Sequence, residues 1–137
     1  MPTLDPDDAR RRFAAARVAR LGTVSASGEP HLVPVVFAVV DERVLIAVDQ
    51  KPKSTRSLKR LRNIEADPAV SLLVDEYSED WSALWWVRAD GTATVRADVL
   101  DEARAALAAR YPQHAADPPD GPVIEVAVTR WSGWSAS

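Results

Sequence analysis

Residues 19–49 read ARLGTVSASGEPHLVPVVFAVVDERVLIAVD, and this stretch says most about the fold class. Three apolar, β-branched runs are separated by short polar turns at residues 27–29 and 41–43. Spacers this short join antiparallel strands, because a parallel connection needs roughly a dozen residues or more. The stretch therefore predicts an antiparallel meander. Pro34 lacks a backbone N–H, so its position is expected at a sheet edge, at a bulge, or opposite something other than a partner strand.

Helices are predicted on both sides of this meander. Residues 6–20 have helix-start signals, since Asp5 can cap the helix and Pro6 suits its first position. Residues 53–64 predict a second helix. Its expected caps are Ser54 or Thr55, and its apolar face holds Leu58, Leu61 and Ile64.

The rest of the chain contains further strand patterns and one more helix. Strands are predicted over residues 69–77, 82–97 and 123–131, the second of them bent near Asp90 and Gly91. A helix is expected to start at Asp98 or Asp101 and to end at Pro112, with residues 113–122 as a loop.

The predicted strands number six and are all antiparallel. In a chain of 137 residues they are best protected by closing the sheet into a barrel, because closure removes exposed strand edges. We therefore expect a mainly β fold, a six-stranded antiparallel barrel over about residues 18–131 with short flanking helices. The length suits a single domain over residues 1–137.

Composition excludes several classes of function. The chain has no cysteine, which rules out disulfides and thiolate chemistry, and its two histidines are too few for most zinc sites, so no metal is expected. No apolar run approaches the roughly 20 residues that cross a bilayer, and the first residues lack a secretory pattern, so we expect a cytoplasmic protein without membrane contact. A net charge of −3 argues against nucleic acid as a partner.

A local basic stretch stands out against this acidic background. Residues 51–62, KPKSTRSLKRLR, hold six of the 17 lysines and arginines. A cationic helix start attracts phosphate, because its free N–H groups and macrodipole add to the side-chain charge. The alternative is that Lys59, Arg60 and Arg62 are only the solvated face of an amphipathic helix. Neither GxxxxGK[ST] nor GxGxxG is present, which argues against a P-loop or Rossmann fold.

Three segments together resemble a known family. They are RLGTVSASGEPHLVPVVFAVVDERVLIAVD, KPKSTRSLKRLRNIEADPAVSLLVD and WWVRADGTATV, at residues 20–49, 51–75 and 85–95. Their order and spacing resemble the flavin/deazaflavin split-barrel oxidoreductases, which are related to pyridoxamine 5′-phosphate oxidase and include actinobacterial members that use coenzyme F420. The similarity runs from about Val18 to Trp131.

This resemblance implies a homodimer with the cofactor at the subunit interface. The cofactor phosphate would meet the basic loop and helix start, and its ring would rest on the second and third strands. The implied phosphate ligands are Lys51, Lys53, Ser54, Thr55 and Arg60. The implied ring neighbours are Val33, Pro34, Val35, Ala47 and Val48.

The adjacent tryptophans Trp85 and Trp86 must point to opposite faces of their strand. One is expected to fill the barrel, and Trp86 is expected to face the cofactor or the partner chain; the alternative is that both only pack. His31 lies near the expected ring position and could donate to a ring carbonyl, although a solvent-facing histidine at a strand end is more common.

The resulting hypothesis is an F420-dependent oxidoreductase that transfers hydride between the deazaflavin and a small organic substrate. No catalytic side chain is assigned, because the cofactor carries the reactive atom. FMN is the alternative cofactor, since both molecules present phosphate to the same helix. A non-catalytic carrier of a flavin or of F420 is a second alternative.

Overall fold

The structure, a computed structural model, describes residues 3–48 and 58–137. Within these residues the chain forms seven strands, four α-helices and one short 3-10 helix. In chain order they are α1 (Pro6–Ala15), β1 (Ala19–Val24), β2 (Pro30–Val35), β3 (Ala38–Val40), β4 (Arg43–Ala47), α2 (Lys59–Ala66), β5 (Ala69–Glu76), the 3-10 helix (Trp81–Ala83), β6 (Trp85–Arg96), α3 (Leu100–Ala108), α4 (Pro112–Ala116) and β7 (Val123–Ser135).

The described strands form one antiparallel sheet in the order β2-β1-β5-β6-β7-β4-β3. Its two edge strands, β2 and β3, are consecutive in the chain and are separated only by Val36 and Phe37. Two residues span less than about 11 Å, so the sheet must curl until its edges approach each other. The expected antiparallel split barrel is thus confirmed. Pro34 lies in the edge strand β2, one of the places expected for it.

The strand count differs from the six expected, because the predicted second strand divides into β2 and β3. The division occurs at Phe37, whose backbone groups bind side chains instead of a strand partner. The Phe37 carbonyl accepts hydrogen bonds from Arg110 Nη1 at 2.5 Å and from the Tyr111 hydroxyl at 3.1 Å. The Phe37 ring is fully buried and lies 4.9 Å from the Phe13 ring. Because the Phe37 backbone bonds to side chains, β2 ends before it and β3 begins after it.

Several predicted boundaries are wrong by a few residues or more. Helix α1 ends at Ala15 rather than at residue 20, because Ala16 already has an extended backbone and β1 begins at Ala19. Helix α3 begins at Leu100 with Val99 as its N-cap, and Asp98 pairs with Arg96 instead of capping it. Residues 112–116 form α4 rather than a loop, since proline is well suited to the first position of a helix.

Helix α1 closes one end of the barrel. Ala9 and Phe13 on its inner face are fully buried, and the Phe13 ring packs edge-on to Trp131 at 5.4 Å. Further along the barrel, the predicted bend in β6 is confirmed as a register shift between Asp90 and Gly91. Glycine is required there, because a Cβ on Gly91 would collide with the carbonyl oxygen of Ala127.

The outer face of the sheet is covered on one side only. Helix α3 packs Leu107 against Ala38, and packs Ala103 against Leu45. The outer face of β2, β1 and β5 has no such cover among the described residues. Leu32 there is 72% exposed and Leu73 is 40% exposed. We call the first region the covered face and the second the open face.

Candidate functional site

Helix α2 is anchored to the barrel by its apolar side. Leu58 and Leu61 pack on the main core, and Ile64 is buried in it, as the sequence predicts. Asn63 is also buried, and its side-chain amide donates to Thr23 Oγ1 at 3.0 Å. This bond joins α2 to the end of β1, so the basic face of the helix has a defined position on the barrel.

Arg60 differs from the other basic residues of α2. Lys59 and Arg62 are exposed, which agrees with a solvated face, whereas Arg60 is half-buried. Its Nε is shielded from solvent and has no hydrogen-bond partner among the described residues. Burial lowers the pKa of the Arg60 guanidinium. A guanidinium that is partly desolvated and unpaired is poised to bind an anion.

A cavity of about 360 Å³ lies on the open face between β2, β1 and β5, and we call it the β2 cleft. It is lined by Gly22, Thr23, Val24, Pro30, His31, Leu32, Ala69, Val70 and Ser71. Apolar side chains dominate the lining, and Gly22 helps to form the depression, because a Cβ there would lie 3.2 Å from Leu32 Cδ2. Thr23 connects the cleft to α2 through Asn63. Arg60 lies one turn before Asn63 on the same side of the helix.

His31 is a half-buried wall residue of this cleft. It pairs with Thr23 across β1 and β2. Its Nδ1 is shielded from solvent and has no hydrogen-bond partner within the described part of the chain. The histidine therefore does not point freely into solvent, which was the more common outcome expected for a strand-end histidine.

The predicted ring neighbours on β2 are divided between the two faces of that strand. Val33 and Val35 face inward, and Val35 is buried against the main core. Pro34 is exposed on the open face, opposite Arg20. Pro34 can thus offer its side chain to a ligand on the open face, whereas the two valines could offer only backbone atoms there.

The other predicted contacts are more scattered. Ala47 packs with the residues under α3, and Val48 is buried in the main core. Trp86 is half-buried on the outer surface, opposite Asp75 and Trp134, while Trp85 packs on the core. The two tryptophans therefore point to opposite faces, as predicted. Lys51, Lys53, Ser54 and Thr55 lie outside the described residues.

The sequence reasoning missed three residues of this region. Thr23, Gly22 and Asn63 contribute the link between α2 and the cleft and part of the cleft itself. The signal for Asn63 was an amide on the otherwise apolar side of α2, next to Ile64. The signal for Gly22 was a glycine inside a strand, which often marks close approach to a ligand or another chain.

Residues 3–48 and 58–137 contain neither a candidate metal site nor a candidate membrane-spanning helix. This part of the chain has no group of three or more histidine, aspartate or glutamate side chains placed to hold a metal ion. None of its helices is long and apolar enough to cross a membrane.

A family model matches nearly the whole chain. Residues 6–135 match the family described as pyridoxamine 5′-phosphate oxidase, which covers almost the whole chain. No curated protein sequence matches the chain significantly.

Solved structures share the fold at low sequence identity. A FAD-binding protein from Mesorhizobium loti is 21% identical, with a TM-score of 0.74 and coverage of 96% of this chain and 95% of that one. A conserved hypothetical protein from Mycobacterium tuberculosis is 19% identical, with a TM-score of 0.76 and coverage of 97% and 86%. A heme binding protein from Mycobacterium smegmatis is 22% identical, with a TM-score of 0.71 and coverage of 96% and 57%.

Proposed function

The chain belongs to the pyridoxamine 5′-phosphate oxidase family, and on this premise we propose that it binds a phosphorylated flavin-type cofactor. The favoured cofactor is F420, with FMN as the alternative. When bound, this group supplies a ring that accepts and donates hydride. The proposed activity is hydride transfer between that ring and a small organic substrate. The observation that carries the proposal is the half-buried Arg60 on α2, whose Nε is shielded from solvent and has no hydrogen-bond partner among the described residues.

Arg60 fits the phosphate of such a cofactor. Its Nε is shielded from solvent without a partner, and an unpaired buried polar atom is costly unless a ligand binds it. Arginine also binds phosphate oxygens in a bidentate manner. Lys51, Lys53, Ser54 and Thr55 remain the other proposed phosphate ligands, on the strength of the family resemblance.

The apolar β2 cleft fits the ring of the cofactor. Its lining is mostly apolar, and Gly22 leaves room where a side chain would intrude. The cleft excludes water from one face of a planar ligand, and the backbone of β2 can orient that ligand by hydrogen bonds. In this placement His31 lines the cleft, and Pro34 lies beyond its lining on the same open face. The same placement leaves Val33, Val35, Ala47 and Val48 in supporting positions behind the binding surface.

The open face supports the proposed homodimer. Leu32 and Leu73 are exposed apolar side chains on neighbouring strands, and the β2 cleft opens onto the same face. A second copy of the chain placed there would bury both leucines and would close the cleft over a bound ring. Trp86 lies on the outer surface of the same sheet and is the proposed contact to the cofactor or the partner.

A titration with F420, FMN and FAD tests the identity of the cofactor. F420 carries a longer anionic tail than FMN, so tighter F420 binding is expected for a chain that concentrates basic residues near α2. Binding is followed by fluorescence or heat. Tight binding of FMN or FAD with weak binding of F420 would overturn the deazaflavin assignment and retain a flavin protein. Binding of none of the three would reject the proposal.

Arg60→Gln tests whether Arg60 binds the phosphate of the cofactor. Loss of a charged hydrogen bond to phosphate should weaken cofactor binding by about 1.5–3 kcal/mol. Lys59→Gln is the matched control, because Lys59 is the exposed neighbour on the same helix. The family resemblance predicts a similar loss of about 1–3 kcal/mol for Lys53→Ala. Equal dissociation constants for the wild type and Arg60→Gln would remove Arg60 from the site.

Turnover separates an enzyme from a carrier. A reduced cofactor on the protein should be oxidised when a suitable small electron acceptor is added, at a rate above that of the free cofactor. Tight binding without any such acceleration would favour the carrier alternative.

Haem binding is the second candidate, and His31 is the observation that favours it. An imidazole nitrogen is a common axial ligand of haem iron, and His31 Nδ1 has no hydrogen-bond partner among the described residues. Addition of hemin followed by absorption spectroscopy tests this candidate. A Soret shift that is lost in His31→Gln would support haem, whereas the same spectrum in both proteins would exclude His31 as its ligand.

A further inference from the structure

A second cavity, of about 530 Å³, lies at the end of the barrel that α1 closes, and we call it the α1 cavity. It is lined by Arg12, Ala15, Ala16, Arg17, Val18, Arg20, Asp75, Glu76 and Trp85. It shares none of these residues with the β2 cleft. The two lie toward opposite ends of β1, since Arg20 near its start lines the α1 cavity and residues 22–24 line the cleft. The α1 cavity is therefore distinct from the proposed cofactor site.

The lining carries two groups of opposite charge, which we call the arginine wall and the acidic wall. Arginines from α1 and the start of β1 form one wall, and Asp75 with Glu76 at the end of β5 form part of the other. Arg20, Asp75 and Glu76 make no salt bridge with any described residue. Elsewhere on the described surface such groups do pair, as Arg43 does with Glu102 at 2.6 Å. The charges of Arg20, Asp75 and Glu76 are therefore not neutralised by an ion pair with another described residue.

The arginine wall is held in place by contacts with aromatic rings and backbone. The Arg12 guanidinium lies 5.3 Å from the centroid of the Trp85 ring, in a cation–π contact. Arg17 stacks on Tyr111 at 4.9 Å and donates to the Arg110 carbonyl at 2.7 Å. These contacts fix the arginines without using a carboxylate, so their charge remains available to a ligand.

The acidic wall has one member that faces the barrel mouth. Glu76 follows the buried Val74 at a spacing of two in β5, so the pleat places both on the inner face. Trp85, opposite Glu76 in β6, lies on the same face as the buried Val87. Glu76, Trp85 and the Arg12 that stacks on it therefore meet at the mouth, away from the open face.

We propose that the α1 cavity binds a small zwitterion of the amino-acid type. Its carboxylate would bind Arg12 and its ammonium group would bind Glu76, the two charged residues that lie beside Trp85 at the mouth. Its apolar part would pack on Trp85 and the adjacent alanines. A ligand with one charge alone would gain from one wall and be repelled by the other, so the cavity selects a molecule that carries both.

Three related probes test this selection on the full-length protein by calorimetry. L-phenylalanine has both charges, N-acetyl-L-phenylalanine has only the carboxylate, and L-phenylalaninamide has only the ammonium group. We expect L-phenylalanine to bind with a dissociation constant below about 1 mM, and each blocked analogue to bind at least about 10-fold more weakly. Failure of L-phenylalanine to bind at about 10 mM, or equal binding of a blocked analogue, would overturn the proposal.

Two variants test which residue binds the carboxylate of the ligand and which binds its ammonium group. Arg12→Gln should weaken L-phenylalanine about 10-fold, while Glu76→Gln should weaken L-phenylalanine and strengthen N-acetyl-L-phenylalanine. Arg130→Gln is the matched control, because Arg130 is exposed on β7 outside the cavity. Unchanged L-phenylalanine binding in a folded Arg12→Gln protein would overturn the assignment. The probe comparison in the wild type decides the matter if a variant does not fold. Both readouts are independent of cofactor binding, so this proposal can fail while the proposed function stands.

Discussion

The covered face and the open face belong to one sheet, but one is packed under a helix and the other is exposed. Over β3 and β4, helix α3 buries Leu107 completely and encloses Leu45. Over β2, β1 and β5, Leu32 and Leu73 remain exposed and Arg20 makes no salt bridge with any described residue. The alternation of inward and outward residues is the same in both. What differs is the cover, which the chain provides for one face and which we propose a second copy provides for the other.

Charges follow the same division. On the covered face, Arg43 bonds both Glu102 and Glu125, and Arg96 bonds Glu125 at 2.7 Å. Arg96 also pairs with Asp98 at 2.7 Å. We call these five residues the charge network. Its hydrogen bonds raise the pKa of Arg43 and Arg96 above their ordinary value. This network supports the fold, whereas Arg20 on the open face makes no salt bridge with a described residue and is available for binding.

Leu107→Ala, on the covered face, is the substitution expected to lower the free energy of unfolding most. Leu107 is fully buried under α3, so its truncation should lower the free energy of unfolding by about 2–5 kcal/mol. Leu32→Ala removes the same atoms from the open face. It should change the free energy of unfolding of the monomer by less than about 0.5 kcal/mol. Urea denaturation at low protein concentration measures both. Equal losses would show that the open face is also covered within one chain.

Self-association gives the second test. Replacement of both Leu32 and Leu73 by glutamate should raise the dimer dissociation constant about 100-fold, or about 2.8 kcal/mol, because the interface would then bury charge. Ala105→Glu, on the exposed side of α3, is the control. Sedimentation velocity across a concentration series gives the constants. A dimer that tolerates the double change would place the interface on another surface.

Glu125→Gln probes the charge network and has a smaller expected effect. The variant removes the carboxylate shared by Arg43 and Arg96, although each arginine retains another acidic partner. We expect a loss of about 1–2 kcal/mol in the free energy of unfolding. Glu79→Gln, in an exposed loop, should leave that energy unchanged. A loss of the same size in both variants would mean that the network contributes nothing specific.

The smallest expected effect is the pH dependence of the stability lost in Glu125→Gln. Hydrogen bonds from Arg43 lower the pKa of Glu102. Burial by itself would raise the pKa of Glu125, but hydrogen bonds from Arg96 and Arg43 outweigh burial and lower it. A carboxylate with a lowered folded-state pKa contributes stability above its unfolded pKa, 4.5 for glutamate, and loses it as the pH falls through the folded value.

The difference in unfolding free energy between the wild type and Glu125→Gln should therefore be constant from pH 7 to about 5 and shrink below pH 4.5. Urea titrations at a series of pH values measure it. A difference that grows on acidification would contradict the pKa directions.

The antiparallel barrel was predictable because its signals are local. The turns at residues 27–29 and 41–43, the helical face of Leu61 and Ile64, and the bend at Gly91 each depend on a few neighbouring residues. The division of β2 from β3 was not predictable, since it depends on Arg110 and Tyr111, which are more than 70 residues away from Phe37 in sequence. No local pattern announces that a backbone carbonyl will bind a distant side chain.

Only the local features of the candidate site were predictable from the sequence. The basic stretch identified Arg60 by charge, but only packing separates it from Lys59 and Arg62, because burial depends on how α2 lies against β1. The β2 cleft and the α1 cavity depend on tertiary structure even more. Arg12 and Glu76 are far apart in the chain, and they line one cavity because α1 closes the barrel beside the end of β5.

By itself, then, the sequence determined the fold class, the antiparallel order of its hairpins and the presence of a local cationic helix. These follow from periodicity, turn chemistry and charge, which act over a few residues. The tertiary structure alone decided which face of the sheet is covered, which arginines stay unpaired and where two cavities open. Those features arise from contacts between distant segments, whose free energies no single stretch of sequence contains.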